Sequence, residues 1–456
     1  MKKTIFTLVL LCALPVMSVL GQDTGIRQTA VTVYNSNIAV VKETRGIEIP
    51  KGSSLVNFMN VAQQIDPTTV RIKFDGTVVE QNYKYDLVSL DKILQRYVDK
   101  KIQLIDQKGE LIEGTLLSAD RSSAVLKKPE GGLTLLSNLS SYRIAVGELP
   151  EGLITRPTLQ CLLNSNKAGK QDAEISYQTS GVSWHAEYVA VLDKDDQQLD
   201  LNAWVTIENN SGTTFNNAAV KVVAGEIHRA NQNGTYAPRY EKVMSMQAGM
   251  AANDAFKERG LFEYHAYELE RKTTIANNET KQIELFSKAG IHAEKRFEYF
   301  ANESTGEAED NVVTKLFFEN KTANNIGIPL PAGTVRIFKM DAGALELIGE
   351  DAITHTPVDG KVNLELGNAF EIKAKTRLMN QQNITNRIVE YTYKITLMNH
   401  KDAAVSVKVR KALYGDWSIT TTTDEYGKED ANTATFQVKI PARSDKEITF
   451  TVRVKS

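Results

Sequence analysis

The chain has 456 residues, 42% of them hydrophobic and 24% charged, with a formal net charge of -2. That balance excludes a disordered chain, and the length exceeds what one core usually serves, so about two to four domains are expected. The near-neutral charge excludes nucleic acid as the main partner, because phosphate binding needs a cationic face.

The first 21 residues read as a secretory signal peptide. Lys2 and Lys3 form the positive start, Ile5 to Val19 the apolar centre, and Val19-Leu20-Gly21 a small-residue cleavage site before Gln22. The run is too short and too early for a membrane span, and no later run approaches spanning length. An exported protein, periplasmic or secreted and not membrane-spanning, is expected. Cys12 lies in the leader, which leaves Cys161 alone and no disulfide in the mature chain. Asp23-Thr24-Gly25 matches an aspartic-protease triplet, but it has no second copy and no preceding strand, and it reads as a tail.

Residues 22–88 form an N-terminal β region, with turn signals at Asn35-Ser36-Asn37, Pro50-Lys51-Gly52 and Asp75-Gly76. Ser89 then caps a predicted helix whose Leu90, Ile93, Leu94 and Tyr97 share one face. Five short strands follow: KKIQLID, ELIEGTLLSA, SAVLKK, GLTLLS and SYRIAV. One helix and five strands within residues 89–148 predict a small closed barrel of the SH3-like or Sm-like kind, which removes exposed edges. With export and no basic stripe, the barrel reads as a spacer or protein-contact module rather than an RNA binder.

Residues 149–380 read as a central antiparallel β-sandwich region. Its clearest strand alternates without a fault: Leu199, Leu201, Ala203, Val205 and Ile207 face one way, and Asp200, Asn202, Trp204, Thr206 and Glu208 the other. Residues 229–260 have no steady period and read as a mobile insertion. Three times an apolar strand stops at an asparagine before a polar turn: WVTIENNSGTTF, KLFFENKTANN and YKITLMNHKDAA. Asparagine suits such a place because its amide bonds backbone groups and it accepts positive φ. Residues 381–456, with turn signals near every ten residues and Trp417 in the middle, read as an immunoglobulin-like sandwich without cysteines.

No catalytic constellation, cofactor motif or metal-ligand spacing emerges. Six histidines are scattered at 185, 228, 265, 292, 355 and 400 with no two at ligand spacing. Ser89-Leu90-Asp91-Lys92 has a serine-acylase spacing, but the serine is explained as a cap. Asp193, Asp195, Asp196 and Asp200 lack the glycine and glutamate of a calcium loop and read as a solvated turn. Cys161, set among Leu159, Leu162 and Leu163, reads as a buried thiol. Trp184, Trp204 and Tyr188 are the possible ligand contacts, since aromatic rings stack on sugars; core packing is the competing reading.

The strings LPEGLITRPTL from Leu149, SYQTSGVSWHAEYV from Ser176, LDLNAWVTIENNSGTTFNNAAVKVVAGEI from Leu199 and YGDWSI from Tyr414 together resemble an uncharacterised bacterial family. It is the domain-of-unknown-function family whose domain also forms the C-terminal part of mucoidy inhibitor A proteins. The resemblance implies an exported β-rich protein and brings no active-site residue. The chain departs from the mucoidy inhibitor proteins in lacking a long coiled-coil segment before the domain.

The sequence therefore predicts a mainly β, multi-domain protein of the cell envelope. A non-enzymatic binding or scaffold role through contacts with an envelope protein is expected. A glycan-active hydrolase, or a carbohydrate-binding protein acting on surface polysaccharide, is the alternative.

Overall fold

The computed structural model describes residues 21–120, 122–225, 256–261, 264–301 and 308–455. Residues 1–20, nearly all of the expected leader, and residues 226–255, which hold most of the insertion expected at 229–260, lie outside the described residues. The end of that insertion is a strand, Phe256–Leu261, paired with Tyr264–Leu269. Phe256 is buried there, and this long-range packing gives order to a segment with no period of its own.

The fold is mainly β, as the alternation predicts. The perfectly alternating strand is Gln198–Asn209, with its five apolar residues buried and paired on both sides by Val182–Leu192 and Glu279–His292. Most ladders are antiparallel, but Gln22–Tyr34 runs parallel to Phe215–Ala224, Val182–Leu192 to Gly333–Asp341, and Glu294–Phe300 to Val405–Ala412.

These pairings tie distant parts of the chain together. Ile38–Ile49 lies between Gln22–Tyr34 and Gly169–Thr179 in one eight-stranded sheet. A single hydrophobic core, from Val31 to Leu364, joins this sheet to the central five-stranded sheet. A second core serves a nine-stranded sheet built from Glu294 to Lys455. That sheet curls until Thr433–Ile440 and Ser444–Lys455, far apart in strand order, face one another, with the Phe436 and Phe450 ring centroids 5.0 Å apart.

The Asp23-Thr24-Gly25 tail expected from the sequence is corrected. Asp23 lies inside the strand Gln22–Tyr34, and its Oδ2 is 2.9 Å from Arg45 Nη1. Arg45 is 1% exposed and also bonds Glu43 Oε2 through Nε at 2.8 Å and the Met59 carbonyl at 2.7 Å. A buried guanidinium must have such partners, so Arg45 recruits the start of the chain into the sheet.

The three asparagine stops are the most regular device of the fold. Asn209, Asn320 and Asn399 are each at most 1% exposed. Asn209 Nδ2 donates to the carbonyls of Thr213, Ile275 and Ala276, at 2.9, 3.2 and 3.1 Å. Asn320 donates to Ile328 and Pro357, and Asn399 to Ala403 and Pro441, all at 2.7–2.9 Å. Each Oδ1 accepts a backbone N–H from the following turn: Ser211, Gly327 or Lys401. None of the three has positive φ. The side-chain amide, not the backbone, is why asparagine stands there: it satisfies carbonyls of a neighbouring segment that would otherwise be buried unpaired.

Between Gly76–Lys84 and Thr158–Ser165, two neighbours in a three-stranded sheet, the chain leaves to build the small module. Its helix is Leu90–Arg96, capped by Ser89 Oγ accepting from Lys92 N at 3.3 Å. The five strands follow as expected: Lys101–Ile105, Leu111–Ala119, Ala124–Lys127, Leu133–Leu136 and Arg143–Ala145. The last strand pairs with the first, and the fourth ends the order on the other side. The barrel is thus open: among the described residues no ladder joins Leu133–Leu136 to Arg143–Ala145. Strands this short curl around the small core of Leu94, Leu104, Leu116 and Leu126 without meeting. The module's two connections are clasped where Asp86 meets Lys92 at 2.8 Å and Arg96 at 3.2 Å, and where the Tyr97 hydroxyl donates to the Glu148 carbonyl.

Candidate functional site

The register of the small module sets its outward face. Lys101 stands opposite Thr115, Thr115 opposite Lys127, and Lys127 opposite Leu133, so these four form one cross-strand row. In the next row Val125 stands opposite Leu135, and on the other side Ala145, Gln103 and Glu113 line up. Leu133 is 59% and Leu135 74% exposed. Leu111 and Leu117 are exposed on the same module. A cavity of about 590 Å³ opens among Lys101, Gln103, Glu113, Thr115, Pro129 and Val146.

The charges of this face differ from those elsewhere. Among the described residues neither Lys101 nor Lys127 has an ion-pair partner, while Glu113 accepts a hydrogen bond from Gln103. A cavity of about 680 Å³ between Glu294–Phe300 and Val405–Ala412 is larger, but its cations are engaged. There Lys295 meets Asp196, Arg296 meets Glu294, Lys401 meets Glu371 and Lys408 meets Glu429.

The three aromatic residues singled out from sequence separate. Trp184 is 1% exposed and donates its indole N–H to the Val223 carbonyl at 3.0 Å. Tyr188 is fully buried, and its hydroxyl donates to the Pro331 carbonyl at 2.7 Å. Burial raises the Tyr188 phenol well above its ordinary pKa. Both rings belong to the core and cannot meet a ligand from outside. Trp204 is half-buried on the opposite face, in a cross-strand row with Glu187 and Glu284. Glu187 is ion-paired to Arg336, and His185 Nε2 lies 3.1 Å from its Oε1.

The aspartate turn and the thiol singled out from sequence are engaged or buried. Asp193 Oδ1 accepts the backbone N–H groups of Gln197 and Gln198, and Asp196 is ion-paired with Lys295 and Lys339. Cys161 is fully buried, and burial pushes its thiol up to about 12, far from a reactive thiolate at neutral pH. Among the described residues, no three His, Cys, Asp or Glu side chains converge to hold a metal ion.

Sequence reasoning missed Lys101, Thr115, Lys127, Leu133 and Leu135. One signal was present: in LTLL three of four positions are leucine, so one strand carries leucine on both faces. A half-buried strand normally keeps one face polar.

Residues 173–456 match the family model described as a domain of unknown function, DUF4139. The chain belongs to the DUF4139 family. No curated protein matches it. The DUF4139 region includes most of the strand Gly169–Thr179 and all of Phe215–Ala224, which are paired by Ile38–Ile49 and Gln22–Tyr34 from outside the matched residues. Residues 173–456 expressed alone are therefore expected to expose Ile175, Tyr177, Val220 and Val222 and to aggregate. Co-expression with residues 22–172, which also carry the central strand Thr158–Ser165 of the three-stranded sheet, should restore solubility, checked by size-exclusion chromatography. A monomeric, cooperatively melting fragment would refute this. The small module lies outside the DUF4139 match.

Proposed function

We propose that this DUF4139 protein is an exported cell-envelope protein that acts by binding another protein, without catalysis of its own, and that the module at 89–148 makes the contact. The observation that carries the reading is the pair of exposed leucines, Leu133 and Leu135, on the outward face of an edge strand. Exposed apolar groups on an open sheet edge invite another chain, and proteins usually blunt such edges unless they are used. The leader-like start and the resemblance to mucoidy inhibitor A proteins support a place in the envelope.

The test is affinity capture from the native envelope with the mature chain as bait, beside a Leu133→Ser/Leu135→Ser bait. A partner protein held by the parent and lost by the variant is expected. Equal capture by both baits would move the contact elsewhere on the molecule.

A second reading, carbohydrate binding, is favoured by one observation: Trp204 lies between two glutamates on an outward face. It predicts a glycan-array signal that Trp204→Ala abolishes.

A further inference from the structure

The small module presents an outward row in which two lysines flank a hydroxyl, and beyond the second lysine the surface turns apolar. We infer that this face takes an extended acidic segment of a partner polypeptide, with a carboxylate seated over Thr115 between Lys101 and Lys127 and a large apolar side chain on Leu133 and Leu135. The inference rests on reading the module as a protein-contact unit and names the kind of chain that it contacts.

Charge is the first argument. Neighbouring strands lie about 4.8 Å apart, so the Lys101 and Lys127 backbones are about 10 Å apart with Thr115 midway. Two flexible ammonium groups and one hydroxyl can all donate to a single carboxylate in that gap. Both lysines are exposed and lack an acidic partner among the described residues, so an incoming carboxylate displaces no existing ion pair. Glu113, held by Gln103 in the neighbouring row, makes the other side of the cavity negative. It confines the anion to the lysine row.

Spacing is the second. Leu133 lies two strands from Thr115, about 10 Å away, and a chain extended in the polyproline II conformation advances about 3.1 Å per residue with three residues per turn, so residues i and i+3 share a face about 9 Å apart. An acidic residue over Thr115 thus places the third residue after it on Leu133, with Leu135 and Val125 alongside. The partner motif is an acid, two spacer residues and a large apolar residue. The apolar end also selects polypeptide over acidic glycan. No aromatic ring is exposed on the described strands of this module for a sugar to stack on, and a hexuronate offers nothing to cover two leucines.

The experiment is fluorescence anisotropy on the full mature chain with a labelled Ser-Glu-Ser-Thr-Leu-Ser peptide. Its counterparts carry lysine for glutamate, or serine for leucine. Saturable binding of the first peptide alone is expected, weakened about tenfold or more by Lys101→Glu/Lys127→Glu, weakened by Leu135→Ser and strengthened by Glu113→Gln. These side chains are exposed, so the variants keep the fold, which their melting curves verify. Equal binding of the glutamate and lysine peptides, no binding, or an unchanged affinity in the lysine variant overturns the inference. So does full competition by an oligohexuronate when the leucine of the peptide contributes nothing. If Leu133/Leu135-dependent capture of a protein persists while the peptide fails, only the acidic motif falls. If that capture also fails, the contact reading falls with it.

Discussion

Replacing Asn399 by alanine is expected to lower the stability of the C-terminal unit by about 3 kcal/mol or more, read as a fall in the urea midpoint. The side chain is 1% exposed and bridges three backbone groups: the carbonyls of Ala403 and Pro441 and the N–H of Lys401. Alanine leaves all three facing a void, and each orphaned buried group costs about 1–3 kcal/mol, with some recovered by water entry or local movement. Asn399→Asp separates hydrogen bonding from volume. It fills the same space but turns an acceptor, negatively charged at neutral pH, toward two carbonyls. It should therefore be worse than alanine at pH 7. A carboxyl in that setting has its folded-state pKa raised above the unfolded value. Its stability is then fully present below the unfolded pKa and is lost as pH rises through the folded one. The aspartate variant should approach the parent in acid while the alanine variant does not. Asn209 and Asn320 should behave alike. A loss under about 1 kcal/mol at all three positions would show that their turns close without the amides.

What the sequence made legible was whatever is written in local periodicity. The alternation from Leu199 to Ile207 predicted the strand and its buried face, and the helix and five short strands of the module fell where their turn residues placed them. The parity of VSWHAEYVAVL also held the answer for the aromatics. Trp184 and Tyr188 share a face with Ala186, Ala190 and Leu192, whereas Trp204 has the opposite parity to Leu201 and Val205. Partnerships across long sequence separations were not legible. Two of the three carbonyls that Asn209 satisfies belong to Ile275 and Ala276, and no local signal announces them. Strand Gln22–Tyr34 begins with polar residues that read as a tail until Arg45 is seen to need Asp23. The lysine row is hidden for the same reason, because it exists only once the register of four strands is known.

Arg45 carries the other large expected effect. Arg45→Met should destabilise the N-terminal sheet by about 3–5 kcal/mol at neutral pH, because it leaves Asp23 and Glu43 buried without their counter-charge. Burial already holds the Glu43 carboxyl above the ordinary carboxylate range, with the Arg45 guanidinium opposing that rise. Removing the guanidinium removes the opposition, so the folded-state pKa of Glu43 climbs further above its unfolded value. A carboxyl raised in this way binds its proton more tightly folded than unfolded. Its contribution is favourable below the unfolded pKa and is lost as pH rises through the folded one. The gap between Arg45→Met and the parent should therefore be wide at pH 7.5 and narrow toward pH 4.5, measured as paired urea midpoints. The triple variant Asp23→Asn/Glu43→Gln/Arg45→Met removes the stranded charges and should recover most of the loss at neutral pH, since a buried ion cluster adds little net stability over neutral groups of similar size. A pH-independent loss in Arg45→Met, unrelieved in the triple variant, would mean that Arg45 acts through packing on Phe58, whose ring centroid is 6.0 Å away, and not through its charge.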